Sequence, residues 1–276
     1  MRARRPENLI NLLAQYDHAI ISDPQSHKGR WKADFMPQAT EVRLDLGCGK
    51  GRFAIEAARL NPECLFVAMD VNDICVLNAA RNALESGVKN LVVVLGNADD
   101  LEKMFAPREL CRIYLNFNAP FPKRKRAHLR LTHLDRLLEY RRLLGPEGLI
   151  DLRTDNMPYW RYTLDELDSA GYRVLSATEN LHATPHVEGP LPRSEYDLKL
   201  SAAGAPVYAL IAQAGPEPDL EHMQRTARLS LVDYLPEDLS QLTHIPYGME
   251  DTVVNLSNRK ANARARAARA QDTNNR

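Results

Sequence analysis

The stretch LDLGCGKGRFAIEAA, residues 44–58, decides the fold. It passes from an apolar, strand-like run through Gly47, Gly49 and Gly51 into a segment whose apolar residues have helical spacing. Glycines at a strand-to-helix turn let the backbone approach a ligand closely, and the helix behind them begins with free amide groups. The pattern therefore predicts the first strand-turn-helix unit of an α/β domain, with a ligand bound at the turn.

The same alternation continues along the chain. Short β-rich runs occur at 42–46, 65–69, 91–95, 112–116 and 149–153, and helix-length segments lie at 52–60, 73–86, 132–144 and 158–170. This order predicts a parallel sheet covered by helices on both faces, because each right-handed crossover needs a helix. Two further runs, 172–177 and 207–213, follow one another without a helical pattern between them and predict an antiparallel edge. The prediction is an α/β fold with a mostly parallel seven-stranded sheet.

Three regions are expected. Residues 1–40 contain no clear strand and are interpreted as an N-terminal arm with one short helix, 7–15. Residues 41–215 form the α/β domain, and residues 216–276 form a C-terminal extension that ends in a tail rich in Ala, Arg and Asn. That tail is expected to be a helix or disordered rather than part of the core.

Composition excludes several classes of protein. The 276 residues are 44% hydrophobic, which is typical of a globular protein that can bury a sizeable core. No window reaches the roughly 18 apolar residues of a membrane helix, and the first residues lack a signal peptide, so a cytoplasmic location without membrane contact is expected. The four cysteines, Cys48, Cys64, Cys75 and Cys111, lack the spacing of a metal site. We expect them to be buried, and we predict no metal.

Polar residues after the strands narrow the choice of ligand. The glycines have the spacing G-x-G-x-G rather than GxGxxG, which disfavours a dinucleotide, although a plain tight turn remains possible from this motif alone. Asp70 ends the second strand, where such folds hydrogen-bond ribose hydroxyls, and Asn97 and Ala98 follow the third, where an adenine ring would fit. Asp45 would favour a nearby sulfonium. With Asn116 at the end of the fourth strand, this set indicates S-adenosylmethionine.

Six ordered motifs carry a more specific resemblance. They are MRARR (1–5), KGRW (28–31), LDLGCGKGRF (44–53), YLNFNAPFPK (114–123), TDN (154–156) and SEYDLK (194–199). Over residues 1–213 the chain resembles the bacterial tRNA (guanine-N7-)-methyltransferase family, TrmB. The resemblance implies a class I S-adenosylmethionine-dependent, Rossmann-like methyltransferase fold and methylation of guanosine N7 in tRNA, at a variable-loop guanosine.

The resemblance also implies roles for individual residues. The methyl donor would contact Asp45, Asp70 and Asn97, of which the first two replace the usual Glu and the third replaces an Asp. The guanosine substrate would contact a set spread over three motifs: Lys123, Asp155, Ser194, Glu195, Tyr196 and Asp197. Ser194 and Asp197 stand for the usual Thr and Glu.

One position departs sharply from the family. Its fourth-strand motif is N-F-x-D-P-W-P-K, whereas this chain has Ala119 in place of the catalytic Asp and Phe121 in place of the Trp. Guanine N7 carries a lone pair and no proton, so methyl transfer to it needs alignment rather than a general base. A carboxylate would orient the base or stabilise developing positive charge. We therefore expect the loss of the Asp to slow the reaction rather than abolish it.

Other interpretations of the motif stay open. The sequence NAPF resembles the N-P-P-F/Y loop of amino-methyltransferases, whose Asn oxygen accepts from an exocyclic amine, and this makes Asn118 the candidate catalytic residue. Asn118 can equally cap the strand end. The alternatives to the main hypothesis are a methyltransferase acting on another RNA or an exocyclic amine, and a catalytically impaired RNA-binding relative.

Charge is unevenly distributed although the formal net charge is zero. Residues 121–142 contain eight Lys or Arg and two acids, so the run Lys123–Arg126, together with Arg130, is expected to meet RNA phosphates. Arginines of the N-terminal arm and of the tail can add contacts. Trp31 and Trp160 are expected to pack rather than to stack on bases. The expected partner is tRNA, and the chain is expected to be a monomer or a homodimer.

Overall fold

A computed structural model describes residues 15–16, 19–183, 190–215, 218–219, 221, 225–242, 244–260 and 262. At its centre lies an eight-stranded sheet of order β1-β4-β3-β2-β5-β6-β8-β7. The strands are β1 Ile20–Ile21, β2 Glu41–Leu46, β3 Cys64–Asp70, β4 Leu91–Leu95, β5 Leu110–Asn116, β6 Leu144–Thr154, β7 Tyr172–Thr178 and β8 Tyr208–Ala214. The first six strands are parallel to one another, and β8 runs antiparallel between β6 and β7.

Helices cover both faces of the sheet. They are α1 Trp31–Phe35, α2 Arg52–Leu60, α3 Asp73–Ser86, α4 Leu101–Met104, α5 Leu134–Leu143, α6 Met157–Ser169 and α7 Glu195–Ala202, followed by α8 at residues 250–260. Because both faces of the sheet are covered, the inner strand β3 is buried from Cys64 through Met69. Within the described residues, no helix is long and apolar enough to cross a membrane.

The predicted parallel sheet with an antiparallel edge is confirmed, and two elements differ from expectation. β1 lies in the arm that was expected to lack a strand, and it pairs with Val93 and Val94 of β4. Two residues are too few to leave a periodic pattern. α7 lies between β7 and β8, where no helix was expected, because its start is set by an N-cap at Ser194 rather than by an apolar repeat. The helix expected at 7–15 falls outside the described residues, apart from Gln15.

Both tryptophans pack in the interior, as predicted. Trp31 is fully buried, donates from Nε1 to the carbonyl of Met104 at 2.8 Å and stacks on Phe105. Trp160 is buried with its Nε1 bonded to the carbonyl of Ala209 at 3.0 Å. The four cysteines are free thiols, but the expectation that all are buried holds fully only for Cys64.

The strand order fixes where a ligand can bind. Chain order reverses at β2, which has β3 and β4 on one side and β5 and β6 on the other. In open α/β sheets, ligands bind beyond the carboxyl ends of the strands at this switch point. The glycine turn follows β2 and the NFNAPFPK stretch includes the end of β5, so both predicted motifs meet at the same place.

Residues 225–260, with the exception of 243, form what we call the docked segment, which packs against this end of the domain. Its side chains Leu231, Met249 and Val253 are buried in the main hydrophobic core. The ion pair of Arg225 with the buried Glu166 fixes the beginning of the segment on α6. A segment outside the repeating α/β pattern thus shares the core of the domain.

Candidate active site

The glycine turn brings backbone close to the end of β5. Gly47, Gly49 and Gly51 all have positive φ angles, 83°, 57° and 78°. A Cβ atom on Gly47 would lie 2.6 Å from Nδ2 of Asn118, so this position excludes a side chain on steric as well as conformational grounds. Gly51 is the N-cap of α2. The turn therefore presents backbone rather than side chains to a ligand.

Asp70 closes this turn. Its Oδ2 accepts from the amide of Gly49 at 2.9 Å, and its Oδ1 accepts from the amide of Asn72 at 2.8 Å. Burial raises the pKa of Asp70, and the amide bonds partly offset that effect. The carboxylate thus holds the glycine turn against the end of β3, and a ribose contact by the same group stays a prediction.

Asp45 is the most strongly perturbed acid at the site. It is 1% exposed, and its Oδ1 accepts from Nδ2 of Asn116 at 3.2 Å on the adjacent strand β5. Its Oδ2 has no hydrogen-bond partner among the described residues. Burial raises the pKa of Asp45 to about 7, the Asn116 bond opposes the shift, and the charge of Asp70 adds to it. A cation bound at Oδ2 would favour the ionised form.

Two amide oxygens share this lack of partners. Asn118 donates from Nδ2 to the carbonyl of Leu46 at 3.0 Å, which leaves its buried Oδ1 without a partner in the described part of the chain, and the same holds for the buried Oδ1 of Asn116. Buried acceptors are costly to leave unpaired. With Oδ2 of Asp45, they form a set of acceptors at the ends of β2 and β5 that suits a cationic ligand rich in N–H donors.

Asn97 and Ala98 lie on the far side of the turn, after β4. Oδ1 of Asn97 accepts from the amide of Asp99 at 3.1 Å and so caps a short 3-10 helix. The carbonyl of Ala98 accepts from Nη1 of Arg136 at 2.9 Å. Both residues predicted to bind the methyl donor therefore lie at the expected strand end. The Asn97 Oδ1 and the Ala98 carbonyl already accept hydrogen bonds from neighbouring residues of the protein.

The motif after β5 has unusual backbone geometry. Phe117 and Phe121 both have positive φ angles, 52° and 43°, which bulky residues rarely adopt. Ala119 between them is exposed. Lys123 is the N-cap of a 3-10 helix, Arg124–Leu129, and the side chains of Lys123–Arg126 are exposed. The basic run therefore lies at the predicted edge of the site.

Arg130 does not belong to the exposed basic surface, so the expectation that it meets phosphate is wrong. It is 0% exposed, with its guanidinium 4.3 Å from the ring centre of Tyr162. Its nitrogens donate to the carbonyls of Pro120, Phe121 and Leu229 at 2.9, 2.8 and 2.9 Å. Arg130 thus ties the motif to the docked segment, a role that a linear basic run cannot reveal.

The residues predicted to bind guanosine lie in three separate places, and the first contains Asp155 and Tyr196. Asp155 is buried, and its Oδ2 accepts from the Tyr196 hydroxyl at 3.1 Å and the Tyr247 amide at 3.2 Å. Nε2 of His244 lies 3.1 Å from the same oxygen. Tyr196 also packs edge-on against Phe117. Asp155 and Tyr196 therefore hold the docked segment beside the motif.

The neighbours of Tyr196 hold α7 in place. Oγ of Ser194 caps the helix through the amide of Asp197, and the buried Asp197 pairs with His182 at 2.6 Å and Arg193 at 3.1 Å. Glu195 pairs with Lys50 of the glycine turn at 3.2 Å. Of this predicted set, Tyr196 alone contacts Asp155 in the described residues, and Lys123 stands apart on the basic edge.

Comparison with known proteins identifies the family. A family model described as "Putative methyltransferase" matches residues 39–210. The tRNA (guanine-N(7)-)-methyltransferase of Geobacillus kaustophilus (strain HTA426) is 33% identical over 216 residues, which are 78% of this chain and 98% of that protein. The protein of the same name from Limosilactobacillus reuteri (strain DSM 20016) is 32% identical over 212 residues, 77% of this chain and 99% of that protein. The chain belongs to the tRNA (guanine-N(7)-)-methyltransferase family.

A solved structure supports the fold. The 16S rRNA methyltransferase KamB has a TM-score of 0.51 and 16% identity, over 67% of this chain and 92% of that one. The predicted class I methyltransferase fold is confirmed, with eight strands rather than seven. The family predicted from the ordered motifs is confirmed as well.

The docked segment lies outside residues 39–210, the region that the family model matches. Sequence analysis assigned no motif to His244, Tyr247 or Glu250, although the first two contact Asp155 in the structure. The only available signal was a few apolar residues in a polar stretch, which show that a segment packs but not where. No group of three or more His, Cys, Asp or Glu that can hold a metal occurs among the described residues.

Proposed function

We propose that this protein transfers the methyl group of S-adenosylmethionine to N7 of a guanosine in tRNA, in the cytoplasm. The observation that carries the proposal is the set of unpaired buried acceptors, on Asp45, Asn116 and Asn118, beside a glycine turn in a chain of this family. S-adenosylmethionine is cationic at sulfur and at its amino group, so its chemistry fits acceptors that the described residues leave without a donor.

The residues that would hold the donor are those of the turn and the two flanking strand ends. Gly47–Gly51 would admit it, Asp45 would pair with its positive charge, and Asp70 would keep the turn in shape while reaching its ribose. When bound, S-adenosylmethionine supplies an electrophilic methyl group. Burial makes the Asp45 charge costly without a cation, so donor binding and ionisation of Asp45 favour one another.

The protein has to align the base rather than move a proton. Because N7 of guanine has a free lone pair, no residue needs to accept a proton before the methyl group is transferred. Ala119 therefore leaves the reaction possible. The cations Lys123–Arg126 would hold the RNA backbone beside the site, because their side chains are exposed to solvent and can reach phosphates.

A second candidate is methylation of an exocyclic amine, favoured by one observation. The unpaired Oδ1 of Asn118 is an acceptor at the end of β5, as that chemistry would require. The two candidates differ in their product, since one yields 7-methylguanosine and the other an N-methylated amino group.

Mass spectrometry of nucleosides tests the proposal. tRNA is incubated with the protein and isotope-labelled S-adenosylmethionine, digested and analysed for labelled nucleosides. We expect labelled 7-methylguanosine. A labelled amino-methylated base would support the second candidate, and RNA binding without any labelled product would identify a catalytically silent relative.

A further inference from the structure

A groove of about 880 Å³ opens where the docked segment meets the motif loop. One wall contains Ala119, Phe121 and the cations Lys123, Lys125 and Arg126, and the other contains residues of the docked segment. Pockets for small ligands have volumes of about 300–1,000 Å³, so the groove can take a nucleoside. Ala119, which lines the groove, directly follows Asn118 of the candidate donor site in the chain.

The second wall is a fixed part of the molecule. The amide of Leu231 donates to the carbonyl of Pro122 at 3.0 Å, and a Cβ atom on Gly248 would lie 3.0 Å from Pro120. Met249, which directly precedes α8, and Val253 of α8 are both buried in the core. The other side of α8, including Glu250 and Asp251, therefore faces the groove.

The charges of the groove are divided between its walls. Its described acidic lining residues, Glu250 and Asp251, both lie on α8, whereas Lys123, Lys125 and Arg126 lie on the opposite wall. Burial, followed by Asp155 and more weakly by Tyr247 and Glu250, raises the pKa of the Tyr196 hydroxyl. Tyr247, which lines the same wall, donates its amide to Asp155 at 3.2 Å, and Glu250 is the lining acid nearer to Tyr247 in the chain.

Guanine has the complementary chemistry. Its Watson–Crick edge presents N1–H and N2–H side by side, and a carboxylate can accept both at once. Tyr247, which is 40% exposed, lines the groove and offers an aromatic surface for a base. Since N7 lies on the opposite edge of the purine, a carboxylate bound to the Watson–Crick edge leaves N7 free.

We propose that Glu250 reads the Watson–Crick edge of the guanine base in this groove, so that the docked segment supplies a carboxylate to a site whose motif has Ala119. The assignment rests on the proposed function for the identity of the substrate. Glu250 lies beyond the matched region 39–210, and it gives the chain a means of selecting guanine that does not depend on the motif loop.

Binding of 5′-GMP and 5′-IMP tests the assignment. IMP keeps the phosphate and N1–H but lacks the 2-amino group, so the two ligands differ by one N–H donor pair. Affinities are measured by nuclear magnetic resonance titration in the presence of S-adenosylhomocysteine. We expect the parent protein to prefer GMP by about tenfold, the effect of one charge-assisted hydrogen bond. We expect Glu250→Gln to bind both nucleotides equally.

Two variants serve as controls. Asp251→Asn removes the neighbouring acid of the same groove, and Asp233→Asn removes an exposed acid of the docked segment that is not among the lining residues. Both should keep the preference for GMP. Thermal melting of all four proteins shows whether each is folded. A structural role for Glu250 would weaken both nucleotides alike and leave their ratio unchanged.

Several results would overturn the assignment. They are a parent protein that does not prefer GMP, a preference that survives in Glu250→Gln, and a preference lost only in Asp251→Asn. Failure of the methylation proposal gives a different result. If the parent protein selects GMP through Glu250 but forms no methylated nucleoside, the assignment of Glu250 stands and the proposed activity is refuted.

Discussion

Replacing Asp45 with asparagine should separate stability from donor binding. Since burial moves the pKa of this carboxyl from 3.8 to about 7, ionised Asp45 costs the folded protein about 4 kcal/mol relative to the unfolded chain. The protonated form carries no such cost, so this contribution to stability is complete below pH about 4 and is lost as the pH rises toward about 7. Asparagine keeps the shape of the side chain and removes the titration.

The size of the effect follows from these pKa values. Ionisation of Asp45 costs the folded state about 2 kcal/mol at pH 5 and about 4 kcal/mol at pH 8. An unpaired amide N–H₂ in Asp45→Asn costs about 1–3 kcal/mol at either pH, so it cancels between them. Without donor, the unfolding free energy of the variant minus that of the parent should therefore be about 2–3 kcal/mol larger at pH 8 than at pH 5.

Urea denaturation at the two pH values measures this difference. Calorimetric titration with S-adenosylhomocysteine, which retains the amino group, measures donor affinity. The ratio of parent to variant affinity should rise about tenfold from pH 6 to pH 8, because Asp45 ionises over this range. A stability difference that does not change with pH would refute the account of the carboxyl, and equal affinities of parent and variant at pH 8 would remove Asp45 from the donor site.

Four further predictions concern the rest of the site. Gly47→Ala should abolish binding of S-adenosylhomocysteine, whereas Gly204→Ala, which has the same backbone strain and nothing within 4 Å of its Cβ, should retain it; equal affinities in calorimetry would contradict the turn assignment. Substituting Lys123–Arg126 with alanine should flatten the slope of log K against log salt for tRNA by up to about 3, and an unchanged slope would place the RNA surface elsewhere. Ala119→Asp should raise single-turnover methylation by up to about 10²-fold with little change in RNA affinity, and an unchanged or lower rate would argue against it. Arg130→Met should lower the urea unfolding free energy by about 2–4 kcal/mol and leave the salt slope unchanged, whereas a flatter slope would make Arg130 a phosphate contact after all.

Sequence analysis predicts the parts of the fold that depend on local sequence patterns. The glycine turn, the strands and the helices follow from apolar spacing, and the strand ends place Asp45, Asp70 and Asn116 at one edge because parallel strands share their carboxyl ends. The two-residue strand β1 escapes prediction, since its place in the sheet depends on pairing with β4 rather than on its own pattern.

Tertiary contacts explain what the sequence does not predict. Arg130 resembles its exposed neighbours in sequence, yet it is buried because the carbonyls of the motif loop and of Leu229 converge on it. The positions of Tyr247 and Glu250 depend on the packing of Met249 in the hydrophobic core. Apolar spacing along the chain does not show such long-range contacts. Sequence analysis therefore could not predict the wall of the groove that the docked segment forms.

The central claim is that a site with Ala119 still methylates N7 of guanosine. Reduction of 7-methylguanosine with borohydride followed by aniline cleaves RNA at the modified nucleotide, and it thereby reports both the atom and the position. tRNA incubated with the protein and S-adenosylmethionine should be cut at one guanosine, and the cut should be absent without the donor and with Gly47→Ala. Transfer of labelled methyl groups to tRNA without cleavage at any guanosine would contradict the claim.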